Sequence, residues 1–332
     1  MLTVTNLHKA FRVSPLSRQR VHAVRGMSFT VEPGSTVAVV GESGSGKSTS
    51  ARLVLRLVDP DSGSVVFNGR ELTELTRTQI NHARQSMPMV FQDPYSSIDP
   101  SWTIREVILE PLHARTSGGS TLRADPVELL QKVGLPESFL HRYPYELSGG
   151  QRQRVAIARA LACSPELLIC DEAVAALDVS TRASIINLLK DLQAEHGFGI
   201  LFITHDLSLV EAISDRVVIV YLGEVVETGP TQQVFGAPRH PYTRLLMDSI
   251  PRPDPQNRMD LKALARTGEV PSASNPPPGC AFASRCPRRT DICTTVSPEL
   301  SGADDGGEAR MFACHHPLTL TPVPSKKGED HD

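Results

Sequence analysis

Short, almost wholly apolar runs rich in β-branched residues alternate with stretches of helical periodicity over residues 1 to about 250. They include TVAVV from Thr36, LLIC from Leu167, GILFIT from Gly199 and RVVIVY from Arg216. A strand with no polar side must be covered on both faces, so these runs predict an α/β fold with a mostly parallel sheet under helices. Between about 101 and 164 the strand signal fades. There, REVILEPLHAR and PVELLQKVGL carry apolar residues at three- and four-residue spacing, which predicts a helical subdomain. From Pro251 to Pro278, seven prolines in 28 residues discourage helix and sheet interiors and predict a linker. A cysteine-rich segment over 279–318 is expected to form a small module of its own, and 319–332 is a polar tail.

With 332 residues, 40% of them apolar, the chain can bury a full core. Its 34 basic and 37 acidic residues, formal net charge −3, form no long block of one sign, so nothing favours a nucleic-acid partner. There is no basic start leading into an apolar core and no run of about 18 apolar residues. The expectation is a chain kept in the cytoplasm, where disulfides rarely persist.

GESGSGKST, from Gly41, follows one predicted strand and opens a predicted helix. It fits the phosphate-binding pattern at Gly41, Gly46, Lys47 and Ser48, with Ser43, Gly44, Ser45 and Thr49 completing the loop. Glycines let the backbone N–H groups approach an anion, Lys47 supplies positive charge, Ser48 offers a hydroxyl to magnesium, and the helix N-terminus adds its dipole. A chain this long matches the bare pattern by accident about one time in a hundred. LLIC then ends in Asp171 and Glu172, carboxylates at the carboxyl edge of a strand, where open α/β sheets bind ligands. Asp171 suits magnesium, and Glu172 a general base for an attacking water. LSGGQRQRVAIARAL, from Leu147, places Ser148 to cap a glycine-led helix, a second phosphate-binding end. Two half-sites on one chain predict a nucleotide sandwiched between two subunits.

In this combination the chain resembles the ATP-binding cassette (ABC) ATPases over residues 1–250. The resemblance implies a P-loop cassette with an antiparallel N-terminal β part, ATP and magnesium as ligands, and ATP hydrolysis coupled to transport. It implies that Phe11 stacks on adenine and that Gln92 in MVFQDP senses magnesium and the transporter. Ser148, Gly149, Gly150 and Gln151 would be the signature, Asp178 the loop crossing the dimer interface, and His205 the γ-phosphate contact. In DEAVAALD the family commonly has Pro, Thr and Ser where this chain has Ala173, Val174 and Ala175. VFQDPYSSIDP, RHPYTRLLMDSIP and GCAFASRCP together resemble the ATPase subunits of oligopeptide and dipeptide permeases. Such subunits pair with a second cassette below two membrane subunits fed by an extracytoplasmic binding protein, on the cytoplasmic face of the membrane.

Cys280, Cys286, Cys293 and Cys314 hold four of the six cysteines, with gaps of five, six and twenty residues. These gaps are wider than is usual within a zinc-binding pair but leave zinc open. Four thiolates also suit a [4Fe–4S] cluster, and the resemblance favours the cluster over zinc. A segment so poor in large apolar residues is expected to need such a source of folding energy. His315 and His316 could replace one of these ligands, although surface histidines are the more ordinary reading. Two other classes stay open: importers of nickel, glutathione or another solute, and soluble cassette ATPases acting on DNA or ribosomes.

Overall fold

A computed structural model describes residues 1–14, 17, 19–93, 95, 97–113, 124–250, 271–302 and 310–319. The chain opens with two long antiparallel strands, β1 (Leu2–Arg12) and β2 (Arg20–Val31). It then enters the core through β3 (Thr36–Val40), which leads into α1 (Lys47–Val54). Next come β4 (Ser62–Phe67), β5 (Arg70–Glu71), α2 (Arg77–Arg84) and β6 (Met89–Val90). The helices α3 (Ile104–His113), α4 (Pro126–Lys132) and α5 (Gly149–Leu161) follow. The chain then alternates: β7 (Leu167–Asp171), α6 (Val179–His196), β8 (Gly199–Thr204), α7 (Leu207–Ile213), β9 (Arg216–Tyr221) and β10 (Glu224–Pro230). Helices α8 (Thr231–Gly236), α9 (Pro241–Asp248) and α10 (Asp291–Thr295) and the two-residue strands β11 (Ser301–Gly302) and β12 (Met311–Phe312) complete it.

An eight-stranded sheet has the order β11-β12-β10-β9-β3-β8-β7-β6, parallel from β9 to β6. Its central strands β9, β3, β8 and β7 are mainly apolar because alternate residues enter different cores. Val37 and Val39 of β3, Ile169 of β7 and Leu201 of β8 join α1 and the antiparallel sheet β2-β1-β4-β5 on one side. On the other, Leu168, Cys170, Ile200 and Phe202 pack with α3, α5 and α6. Among the described residues, 101–164 carries helices and no strand, and its Ile104, Ile108, Leu130, Val155 and Ile157 belong to that shared core.

The four-cysteine segment does not stand apart. β12 pairs with β10, Glu227 opposite Phe312 and Thr228 opposite Met311, extending the same sheet. Ala281 and Phe282 are buried in a core with Tyr221, Tyr242 and Val226. Glu227, fully buried, accepts a hydrogen bond from Nη2 of Arg310 at 2.7 Å and others from the backbone N–H groups of Arg239 and His240 at 2.9 Å each. The expected separate module is therefore replaced by a segment folded onto the α/β domain. The first part of the expected linker, 251–270, and all but the first residue of the polar tail lie outside the described residues.

Candidate nucleotide site

The loop after β3 turns on two glycines. A Cβ on Gly41 would land on the carbonyl oxygen of Val220, and one on Gly46, at φ 101°, on that of Ala23, so only a bare backbone fits at either place. Gly46 caps α1 without any side-chain hydrogen bond, which leaves the first N–H groups of that helix as donors. Ser43 and Gly44 form the exposed tip, and Thr49 lies in the first turn of α1. The Ser45 hydroxyl, within the loop, is buried without a hydrogen-bond partner. Lys47 is 4% exposed and donates from Nζ to the carbonyls of Gly41 at 2.9 Å and Glu42 at 2.8 Å. Burial lowers its pKa, against the carboxylates of Glu172, Asp171 and Glu42, so this ammonium gains from an anionic neighbour.

Ser48 Oγ donates to Oδ1 of Asp171 at 2.8 Å, joining the start of α1 to the end of β7. Burial raises the Asp171 pKa, helped by Glu172 and opposed by the Ser48 hydrogen bond, Arg52 and Lys47. The oxygen donors of Ser48 and Asp171 suit a hard cation such as magnesium. Glu172 has φ 49°, a left-handed conformation that costs a residue with a Cβ about 1–3 kcal/mol. Its backbone N–H is held by the Ile203 carbonyl at 2.9 Å, and its Oε1 lies 3.2 Å from Nδ1 of His205. The loop, both carboxylates and the histidine thus meet at the carboxyl edge of β3, β7 and β8.

The remaining predicted residues lie outside this hydrogen-bonded group. Ser148 caps α5 in a reciprocal box, its Oγ accepting from the Gln151 N–H at 3.3 Å while its own N–H donates to the Gln151 side chain at 2.9 Å. Gly149 and Gly150 make the first turn. Asp178 caps α6, and the hydrogen bonds from Ser180 and Thr181 hold its carboxyl well below the usual range. Gln92 is exposed after β6, and Phe11 is exposed near the end of β1 with the Lys9 ammonium 5.7 Å from its ring centre. Among the described residues, no hydrogen bond joins Phe11, Gln92, the Ser148–Gln151 turn or Asp178 to the loop at Gly41–Thr49.

Residues 24–175 match the family profile described as ABC transporter, and residues 226–293 the one described as oligopeptide/dipeptide transporter, C-terminal region. A probable peptide ABC transporter ATP-binding protein of Sinorhizobium fredii, y4tS, is 49% identical over 89% of this chain and 82% of its own. The chain belongs to the ABC transporter family. It is one of the family's ATP-hydrolysing subunits. A putative oligopeptide transport ATP-binding protein of Bacillus subtilis, YkfD, is 43% identical over 95% of each chain. Among solved structures, the dimeric post-hydrolysis state of the ATP-binding cassette MJ0796, bound to ADP and Pi, aligns with a TM-score of 0.61 and 29% identity. It covers 70% of this chain and 99% of its own. CbiO1 of Clostridium perfringens, part of the cbiONQ transporter, aligns with a TM-score of 0.60 at 29% identity over 70% and 90% of the two chains.

The C-terminal part of this ABC subunit departs from expectation. Cys280, Cys286, Cys293 and Cys314 line one cavity with His240, His315 and His316, but its volume is about 10 Å³, the space of a single water molecule. Among the described residues, no group of three or more His, Cys, Asp or Glu side chains is placed to hold a metal ion. Burial pushes the Cys280 thiol up to about 11 and raises Cys286 and Cys314, which favours neutral thiols. Neither the expected cluster nor the zinc alternative has a ready-made seat. The segment has anchors of its own in the α/β domain: Phe282 in the shared core, β12 paired with β10, and the Glu227–Arg310 pair. Sequence reasoning also missed Tyr242 and Arg285, both of which reach Glu42 of the Gly41–Thr49 loop from far along the chain.

Proposed function

We propose that this ABC ATPase binds MgATP at the Gly41–Thr49 loop, closes on it with a second cassette and hydrolyses it to drive peptide uptake. The observation that carries the reading is the meeting of the loop, Asp171, Glu172 and His205, tied together by the Ser48–Asp171 and Glu172–His205 contacts. In this reading Lys47 and the free N–H groups of α1 hold the β and γ phosphates. Ser48, Asp171 and Gln92 would hold magnesium, which when bound supplies positive charge against the phosphate oxygens. Glu172 orients a water in line with the γ-phosphorus and takes its proton, and His205 fixes the carboxylate and contacts the γ-phosphate. Phe11 stacks on adenine. The capped α5 end at Ser148, Gly149, Gly150 and Gln151 meets the phosphates of the opposing cassette, with Asp178 at the seam. That no hydrogen bond joins these residues to the loop among the described residues, and the dimeric state of MJ0796, support a shared site.

Peptide cargo is supported by the C-terminal family profile and by the names of y4tS and YkfD. In this reading the subunit lies peripherally on the cytoplasmic face of the membrane beneath two permease subunits, with an extracytoplasmic binding protein delivering the peptide. No helix among the described residues is long and apolar enough to cross a membrane. A groove of about 800 Å³ beside Gln92, lined by Met89, Phe91, Ser97 and Arg159, would receive the permease. The convergence of four thiols on one cavity supports a narrower proposal, that the C-terminal segment opens to take a [4Fe–4S] cluster. Colourless, iron-free protein from anaerobic purification would end that proposal. The main test is ATP-driven peptide uptake by the assembled complex in vesicles. Lys47→Ala should abolish both uptake and ATP turnover, and wild-type turnover with no peptide-dependent uptake would overturn the cargo.

A further inference from the structure

The second residue of the phosphate loop is held by the cysteine segment. Arg285, next to Cys286, donates from Nη1 to Oε2 of Glu42 at 2.9 Å and from Nη2 to Oε1 at 3.0 Å, a two-pronged ion pair between residues 243 positions apart. The Arg285 side chain is 8% exposed and Glu42 29%. Tyr221 and Phe282 lie with their ring centres 5.7 Å from the guanidinium, and Tyr221 Oη accepts a longer hydrogen bond at 3.4 Å. Glu42 is held at two further points. Its backbone N–H donates to Tyr242 Oη at 3.0 Å, and its carbonyl accepts from Lys47 Nζ at 2.8 Å.

We propose that Arg285 is a positioning residue of the nucleotide site, one that neutralises Glu42 and fixes the phosphate loop so that ATP can bind. The proposal rests on the reading of Gly41–Thr49 as the phosphate cradle. A carboxylate in such a loop opposes an anionic ligand and competes with it for Lys47, and the Arg285 fork removes both effects. The fork also sets the loop's shape, because a planar guanidinium bound at two oxygens fixes the carboxylate in both distance and angle. Its cost is visible: Nε of Arg285 is buried without a partner while both terminal nitrogens point at Glu42. The cysteine segment thereby becomes part of the ATP site without touching the nucleotide.

The test uses the full-length chain, with ATP affinity from trinitrophenyl-ATP fluorescence and steady-state ATPase in the assembled transporter. Arg285→Gln should raise the KM for ATP about tenfold and leave kcat within about twofold. Arg285→Lys, which keeps the charge and loses the fork, should fall between. The double variant Glu42→Gln with Arg285→Gln should recover most of the lost affinity, because no bare carboxylate remains, and its Tm, read alongside, separates a loss of binding from a loss of folding. Arg289→Gln on the same segment should change nothing. The proposal is overturned if Arg285→Gln keeps the wild-type KM, or if the double variant binds ATP as weakly as Arg285→Gln alone. Should Arg285→Gln fail to fold, the Arg285→Lys and double variants decide by the same criteria. A wild-type chain that binds no ATP would instead remove the cradle reading itself.

Discussion

Nδ1 of His205 and Oε1 of Glu172 stand 3.2 Å apart, the first just past the end of β8 and the second just past β7. Strand pairing brings them together, since Asp171 is in register with Ile203 in the parallel ladder. Glu172→Gln keeps the shape and one acceptor but cannot take a proton from water. ATP turnover should therefore fall by about 10²- to 10⁴-fold while ATP binding persists. Rapid-quench hydrolysis together with an equilibrium binding measurement checks this. Loss of binding in step with turnover would assign Glu172 to holding the nucleotide instead. His205→Ala should give a smaller loss in the same direction, because the carboxylate remains.

The two glycines with positive φ in the loop make different demands. At Gly46 a methyl group meets the Ala23 carbonyl, while at Gly44, φ 78°, nothing lies within 4 Å of it. Gly44→Ala should cost only the left-handed backbone penalty, about 1–2 kcal/mol. Gly46→Ala must in addition move β2 or the loop, and it should lower the Tm further and abolish ATP binding. Thermal unfolding of the two variants side by side measures the difference, and equal shifts would show that the Ala23 contact relaxes freely.

Local patterns carried most of the candidate nucleotide site. Residues 41–49 hold their chemistry within nine positions, and Ser148 directly before Gly149 and Gly150 announces a capped helix end. The β3, β7, β8 and β9 runs were legible because burial on both faces removes every polar alternation. The Arg285–Glu42 pair was not legible, because neither residue belongs to a periodic pattern and 243 positions separate them. β11 and β12 are two residues long and have no strand-like period, so the sheet extension that anchors the C-terminus was invisible. Counting thiols told how many converge but not that Phe282 and Arg310 already hold the segment.

Glu71 supplies a test of pH dependence away from the site. Burial alone would raise its pKa, but hydrogen bonds from the Ser64 and Thr73 hydroxyls and from the Thr73 and Val65 N–H groups outweigh burial and hold it below the ordinary value of 4.5. A depressed folded-state pKa gives stability that is complete above the unfolded value and is lost as pH falls through the folded one. Glu71→Gln should therefore cost about 1 kcal/mol at pH 7. The gap between the two urea curves should stay constant down to about pH 5 and narrow only below that. A gap that narrows between pH 8 and 6 would contradict the assignment.

The buried pair of Glu227 and Arg310 tests whether the cysteine segment belongs to the α/β domain. Their side chains are 0% and 5% exposed, and Arg310 directly precedes β12 while Glu227 lies within β10. Removing one partner leaves a buried charge uncompensated, a loss of about 3–5 kcal/mol. Arg310→Ala leaves Glu227 with the Arg239 and His240 N–H groups but without a counter-charge, so β12 should detach before the central sheet opens. Hydrogen exchange reports this directly: the Ala313 amide, which donates to the Val226 carbonyl at 2.9 Å, should exchange much faster, and the amides of β3 should stay protected. Arg310→Met, which fills the volume without the charge, should destabilise comparably, because the Glu227 carboxylate is what remains unpaired. The Glu227→Gln, Arg310→Met double variant should be more stable than Arg310→Met alone, since no buried ion then remains. If the Ala313 amide keeps its wild-type protection in Arg310→Ala, the pair is not what anchors the C-terminal segment.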